Sequence, residues 1–329
     1  MKKIAVVILN WRGGNDTIEC LQSFCSQNMS DGLHLVVIDN ASHDGSAQRI
    51  LRWAEEGGVS TEVFDHQAAD DRLVSVGLFR PGAKPKLTLV RSDSNNGFCV
   101  GNNLGARIGF EAHADFALIL NNDTLVGPDF NAALQEILTD DDGTTLYSPQ
   151  IAYASQPEKI WWFGGRFSRL LSPIYLAQGE LVRIDDGSRP ATHWVSGCAT
   201  LISRGLFERI GLYDPVFFIW CEEWDLSLRA TAAGVSMRAL PGVLVYHKVG
   251  KSLGITSPLT FFYGMRNMLI LRRRYLSWVL RLPFNLVYLP YKLVQAIELG
   301  LRGGDWRYLQ GYVDALTSTR GGGKWRRQD

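Results

Sequence analysis

The sequence predicts an α/β protein: a mostly parallel, doubly wound sheet with helices on both faces, a smaller mixed or antiparallel half, and helices at the end of the chain. Three observations carry this. Short runs of uninterrupted apolar residues, Ile4–Leu9, Leu33–Ile38 and Phe116–Leu120, read as strands buried on both faces. Each run stops on polar residues: Asn10, then Asp39-Asn40, then Asn121-Asn122-Asp123. Helix-like segments separate them, so strand, loop and helix alternate from the first residues onward.

The elements follow in order. Residues 4–9 form the first strand, and Asn15 or Asp16 caps a helix over 17–27 with Ile18, Leu21 and Phe24 on one face. Residues 33–38 form the second strand, followed by a helix over 45–55. Residues 57–86, with Pro81, Gly82 and Pro85, read as a surface excursion with an edge strand at 73–79. A third strand spans 87–91. The loop Asn95-Asn96-Gly97 leads to a helix over 102–112, whose amino terminus favours an anion. Strands are expected at 116–120, 160–163, 174–177, 181–184, 199–203 and 236–245, and helices at 204–211 and 223–233. Beyond residue 258 the pattern is helical over 258–280, 284–300 and 306–317, with Pro283 and Pro290 as breaks. Residues 318–329 read as a disordered basic tail.

Composition narrows the functional classes. The 329 residues carry 34 Lys and Arg against 33 Asp and Glu, yet the charge is uneven. Residues 248–329 hold 14 basic and 4 acidic side chains, and residues 1–247 hold 20 and 29. A basic, aromatic end on an acidic body faces something anionic; nucleic acid is not expected. Arg272, Arg273, Arg274, Arg281 and Lys292 alternate with Trp278, Phe284, Tyr288 and Tyr291, as in a segment lying in a bilayer interface. Ordinary amphipathic helices packed on the core have the same pattern. Five cysteines without metal-type spacing read as reduced thiols of a cytosolic protein. The start Met1-Lys2-Lys3 precedes too short an apolar run for a secretion signal, and no uncharged stretch approaches a membrane span.

The chemistry sits at strand ends. Asp123 offers a hard oxygen ligand for a divalent cation that would hold a diphosphate. The alternative is that Asp123 caps a helix at 129–138. His247 ends the strand at 236–245 and is either a second metal ligand or a structural histidine. Glu222, Glu223 and Asp225 open a helix, as a source of a general base or as complements to its dipole.

The order of these motifs resembles the family 2 glycosyltransferases of GT-A fold, in particular a bacterial branch of rhamnosyltransferases and galactofuranosyltransferases. The matching stretches are Val7–Trp11, Val37–Ser42, Asn95–Phe98, Gly101–Asn103, Leu120–Asp123, Trp162–Gly165, Val195–Cys198 and Phe217–Arg229, within about residues 3–275. The resemblance implies a catalytic domain over 1–255, with a nucleotide-sugar half (1–125) and an acceptor half (126–255). Residues 256–317 would then be a helical appendage. It implies that Asp39 reads the nucleobase. Asn10, Asn40, Asn95, Gly97, Asn102, Asn121 and Asn122 would line the donor pocket. Asp123 and His247 would hold Mn²⁺ or Mg²⁺. Glu223 is the implied base, one methylene longer than the Asp of most relatives, with Glu222 beside it as the other candidate. Asp225 would organise their helix. Trp162, Trp194, Gly197 and Arg229 would lie near the donor sugar or acceptor. The implied reaction is inverting transfer of rhamnose from dTDP-rhamnose, or secondly of galactofuranose from its UDP donor. The acceptor would be a surface polysaccharide or polyprenyl-diphosphate-linked glycan at the cytoplasmic face of the inner membrane. A nucleotidyltransferase and a nucleotide-sugar-binding protein without turnover are the competing classes.

Overall fold

The computed structural model describes residues 1–27, 32–69, 71–79, 86–183, 187–249 and 257–320. The chain runs β1 (Ile4–Asn10), α1 (Gly14–Cys25), β2 (Leu33–Asp39), α2 (Ser46–Glu56), β3 (Ser60–Gln67), β4 (Arg72–Phe79), β5 (Lys86–Ser92), α3 (Gly97–Glu111), β6 (Phe116–Asn121), β7 (Thr124–Val126), α4 (Phe130–Leu138), β8 (Thr145–Tyr153), β9 (Gln156–Trp162), β10 (Gly165–Phe167), β11 (Pro173–Tyr175) and β12 (Ala199–Ser203). It continues through α5 (Arg204–Ile210), α6 (Glu222–Ala232), β13 (Ser236–His247), α7 (Pro258–Tyr275), α8 (Trp278–Gly303) and α9 (Arg307–Thr317).

One sheet has the order β4-β3-β5-β2-β1-β6-β12-β8-β13-β7, with β9 added to β8. The stretch from β3 to β6 is all parallel. After β1 the chain winds outward to β2 and β5, then returns to the other side of β1 as β6. The sheet therefore switches direction between β1 and β6, and a crevice opens at their carboxyl ends. The second half is mixed, as expected: β12 runs antiparallel to β6 and β8, while β13 runs parallel to β8.

Alternate residues of β1 serve two cores. Ile4, Val6 and Ile8 face Leu21 and Phe24 of α1, whereas Ala5 and Val7 face α3. The second face is closely approached because α3 carries Gly97, Gly101, Gly105 and Gly109, one per turn. A Cβ at Gly101 would sit 2.3 Å from Leu9, at Gly105 2.3 Å from Val7, and at Gly109 2.2 Å from Ala5. This glycine stripe seats α3 directly on β1. It also explains why α3 begins at Gly97 rather than at residue 102.

Several sequence expectations are corrected. Residues 60–67 form a strand that the polar-rich stretch STEVFDHQ hid. It lies next to the sheet edge, and a bulge between Val63 and Phe64 breaks its alternation. The strand β8 was concealed by Ser148, Pro149 and Gln150, which are polar or ring-locked yet central. Ser148 bonds the Ala199 carbonyl at 2.6 Å, and Gln150 exchanges two 2.9 Å bonds with the Arg183 backbone. Leu181 makes only an isolated bridge to Lys159, and residue 184 lies outside the described residues. The helix α1 starts at Gly14 without a side-chain cap, and Asp16 instead pairs with Lys248 at 2.6 Å. Pro283 and Pro290 do not end the penultimate helix but lie inside it. Residues 318–320 form a short 3₁₀ turn, and the rest of the tail lies outside the described residues. No helix among the described residues is long and apolar enough to cross a membrane. The five cysteines are free thiols.

Candidate active site

The carboxyl ends of β1 and β2 are locked together by side chains. Asn10 is fully buried and donates from Nδ2 to Asp39 Oδ1 at 2.6 Å and to Ser42 Oγ at 3.0 Å. Thr17 donates to Asn10 Oδ1 at 2.9 Å. Asp39 thus has Oδ1 taken up and Oδ2 left with a single 3.4 Å bond from the Ser42 backbone. Asn40 ties the next loop in place. Its Nδ2 donates to Asn95 Oδ1 at 2.9 Å and its Oδ1 accepts the Asn96 N–H at 3.1 Å. Asn95 Oδ1 also accepts the Gly97 N–H. Gly97 has φ +82°, and a Cβ there would strike the Phe218 ring at 2.4 Å, so glycine is required twice over. Asn102 is wholly buried in α3, with Nδ2 on the Phe98 carbonyl. Asn121 and Asn122 are partly exposed at the end of β6, with Asn122 Nδ2 3.2 Å from Thr17 Oγ1.

Asp123 does not cap α4; Asp129 occupies that position. Pairing of β7 with β13 sets His247 opposite Thr124, which brings His247 Nε2 to 3.2 Å from Asp123 Oδ1. Both side chains are buried, and His247 Nδ1 has no partner. Burial alone would lower the His247 pKa. Cys198 and the Asp123 carboxylate outweigh it and push the value up to about 10. A hard carboxylate beside an imidazole fits a divalent cation that keeps water and substrate phosphates as its other ligands. Among the described residues no group of three or more His, Cys, Asp and Glu side chains forms a larger metal cluster. Such a cation would thus depend on ligands from diphosphate and water, and would displace the histidine proton.

The carboxylate pair begins α6 after a strained approach. Phe218, Trp220 and Cys221 all have positive φ, at 62°, 72° and 69°, an arrangement that costs about 1–3 kcal/mol per residue and persists only where surroundings impose it. Here the Phe218 carbonyl accepts the N–H groups of Phe98 and Cys99 at 2.7 and 3.2 Å. Asn267 of α7 lies within hydrogen-bond reach of three carbonyls, those of Phe217, Ile219 and Trp220, at 2.7–2.8 Å from its Nδ2. The Phe218 ring stacks on Tyr263 at 4.9 Å.

Glu222 is buried and Glu223 partly so, and Oε2 of each lacks a partner. Burial raises the Glu223 pKa to about 7, partly offset by backbone N–H groups of Glu223 and Trp224. Burial and the neighbouring Glu223 charge raise Glu222 well above the carboxylate range. At neutral pH the pair holds at least one proton between two carboxyls, which is the condition of a general base poised for use.

Asp225 has a different position. It is fully buried and accepts from Arg229 Nε at 2.8 Å, Arg274 Nη1 at 2.9 Å and the Tyr275 hydroxyl at 2.9 Å. Its bonds brace α6 and tie it to α7, which is an organising role and not that of a base. Arg229 likewise turns away from any sugar region; its other guanidinium nitrogens donate to the Ile210 and Leu212 carbonyls. Trp162 and Trp194 are buried in the core, the latter against Gly165. The aromatic near the Asp123–His247 pair is Trp161, whose ring packs edge-on to His247 at 4.7 Å and against Tyr175 at 6.1 Å.

The dipeptide Gly197-Cys198 joins the two clusters. A Cβ on Gly197 would lie 3.5 Å from Glu222 Oε1 and from Glu223 Cβ. Cys198 lies beside His247 and raises its pKa, and the Cys198 carbonyl accepts the Asn121 N–H at 3.0 Å. Base candidates and cation candidates are therefore one peptide apart. Sequence reasoning missed Trp161, Tyr175, Cys198, Arg274 and Asn267. The pair Arg266-Asn267, polar within the apolar stretch Phe261–Leu271, was a legible signal, and both side chains are buried. A separate cavity of about 430 Å³, lined by Phe167, Leu171, Thr192, His193 and Arg238 among others, contains none of these groups.

This sheet, with its switch point, strand-end asparagines and acidic helix start, has the GT-A fold of the solved glycosyltransferases it superposes on. Among curated proteins, it is 20% identical to the dTDP-rhamnosyl transferase RfbF of Shigella flexneri over 253 residues, 73% of this chain and 82% of that protein. No family model matches the chain. Among solved structures, GalNAc-T7 with UDP, GalNAc and Mn²⁺ superposes with a TM-score of 0.61 at 14% identity, covering 97% of this chain. The chain spans just 57% of that protein's length. The mannosyltransferase PcManGT of Pyrobaculum calidifontis, in complex with GDP-Man and Mn²⁺, gives 0.53 at 17% identity over 97% of this chain and 87% of its own. Residues 1–349 of S. aureus TarS, in complex with UDP-GlcNAc, give 0.54 at 12% identity over 96% and 80%.

Proposed function

We propose that the chain is an inverting, divalent-metal-dependent glycosyltransferase that uses a nucleoside-diphosphate sugar, with dTDP-rhamnose as the favoured donor. The observation that carries this reading is the junction at Gly197-Cys198, where the Glu222-Glu223 pair packed on Gly197 meets the buried Asp123–His247 pair at the mouth of the switch-point crevice. A base and an anion-binding end so close together suit direct displacement at an anomeric carbon. The rhamnose assignment leans on RfbF, and the nucleotide-sugar assignment on the donors bound by PcManGT and TarS.

In this reading Glu223 accepts the proton of an acceptor hydroxyl, whose oxygen then bonds to the anomeric carbon as the bond to the diphosphate breaks. Glu222, protonated beside it, spares Glu223 a second full negative charge. General-base assistance of this kind is worth roughly 10²–10⁴-fold. Asp39 Oδ2 bonds the base of the nucleotide, and Asn10, Asn40, Asn95, Gly97, Asn121 and Asn122 shape the pocket around the nucleoside and sugar. Asp123 and His247 would hold the cation, which would supply charge neutralisation for the departing nucleoside diphosphate. Trp161 and Tyr175 wall the sugar side. The acceptor is a hydroxyl of a polysaccharide or lipid-linked glycan.

The test is a panel of nucleotide-sugars with Mn²⁺ or Mg²⁺, read by thermal shift and by release of nucleoside diphosphate. One donor, dTDP-rhamnose, is expected to shift the melting temperature, and EDTA or Asp123→Asn to abolish the shift. No shift with any donor, with metal or without, would overturn the reading.

A further inference from the structure

The outward face of α8 is apolar along its whole length. Val279, Leu286, Val287, Val294, Ile297 and Leu301 are 38–73% exposed. At 100° per residue they fall in one arc, and Pro283 and Pro290 fall in the same arc. No charged side chain interrupts it over 26 residues, about 39 Å of helix. A surface this large is unusual for a face open to water. The opposite side of the helix is occupied: Ala296 and Gly300 are buried, Ala296 in a cluster with Phe261, Phe262 and Tyr308. Trp278 stands 69% exposed at the start of α8, and Trp306 stands 55% exposed just past its end.

We infer that this face docks on an anionic lipid surface, with α8 lying in the interface plane rather than crossing it. Charge complementarity selects this occupant. Residues 257–320 contain nine Lys and Arg against three Asp and Glu. Arg273 and Arg281 lie at the amino end of α8, Arg281 reaching the Arg273 carbonyl at 3.1 Å. Tryptophans at both ends of an apolar stripe with cations beside it match an interfacial helix, in which aromatic rings sit at headgroup depth. A single convex helix offers no groove for a partner peptide. The helix does not span, because Arg281, Lys292, Glu298 and Arg302 interrupt its other faces.

The same cluster that buries Ala296 includes Phe218 and Ile219, the strained approach to Glu222. A lipid-bound α8 therefore holds the carboxylate pair at a set distance from the headgroups. That geometry suits an acceptor whose anchor is lipid. This last step rests on the proposed transfer; the lipid docking itself does not.

The experiment is co-sedimentation of the full chain with vesicles of phosphatidylcholine alone and with added phosphatidylglycerol. The wild type is expected to bind the anionic vesicles. A triple variant, Leu286→Asp, Val287→Asp and Val294→Asp, is expected to lose about tenfold or more in partition. These side chains are exposed, so melting temperature and donor-induced thermal shift stay as in the wild type, which separates failure of docking from failure of the transferase reading. Wild-type protein that ignores both vesicles overturns the inference. So does a dimer seen by ultracentrifugation and broken by the triple variant, which would assign the face to a second copy. Binding that the triple variant leaves intact overturns it as well, since basic side chains alone would then suffice.

Discussion

The glutamate pair makes folding stability depend on pH in a direction opposite to most carboxylates. Glu223 titrates near pH 7 in the folded chain against an ordinary value of 4.5. A carboxyl with a raised folded-state pKa holds its proton more tightly in the native state. Its contribution is complete below pH 4.5 and is lost as pH rises through about 7. At 1.36 kcal/mol per pKa unit the loss is about 3 kcal/mol. Burial of Glu222 acts in the same direction. Glu223→Gln keeps the shape and removes the ionisation. The unfolding free energy of the variant is therefore expected to gain about 3 kcal/mol on the wild type between pH 5 and pH 9. Urea unfolding in EDTA, followed by tryptophan fluorescence at several pH values, measures the difference directly. The variant should also lose turnover, while wild-type kcat rises about tenfold per pH unit below 7 and then levels. Two stability curves that run parallel across this range would refute the burial argument. Wild-type turnover by the folded variant would refute the role of base.

Three further substitutions probe the supports of the site. Gly197→Ala adds a methyl in ordinary contact with both glutamates; melting temperature should hold while kcat/KM falls about tenfold, because the methyl occupies space before the base. Gly105→Ala forces a Cβ to 2.3 Å from Val7, and urea unfolding should register a loss of about 1–3 kcal/mol from overpacking α3 on β1. Asn267→Ala removes the amide within reach of three carbonyls of the 217–220 approach, of which Phe217 keeps the Ile219 N–H; a loss of about 1–3 kcal/mol is expected, with kcat reduced more than donor KM. Equal effects on both would mean that Asn267 serves folding alone.

What the sequence by itself determined were the parts governed by local rules. Buried parallel strands need unbroken apolar runs, so β1, β2 and β6 were visible, and their polar terminators marked the crevice. Glu222 and Glu223 at a helix start and Asp123 after a buried strand were legible for the same reason. Tertiary structure decided what local rules cannot reach. Asp225 reads like its acidic neighbours in sequence, yet Arg274 and Tyr275, 49 and 50 residues away, turn it into a buried tie between helices. Trp161 and Trp162 are adjacent, but a strand sends successive side chains to opposite faces, and only the pairing of β9 with β8 settled which one meets His247. Pro283 and Pro290 broke the helical pattern on paper and not in space, since their rings lie on the open face of α8. The outward stripe of that helix emerged only when packing of α7 and α9 had claimed the other side. Long-range contact, not local propensity, assigns each of these side chains to its surroundings.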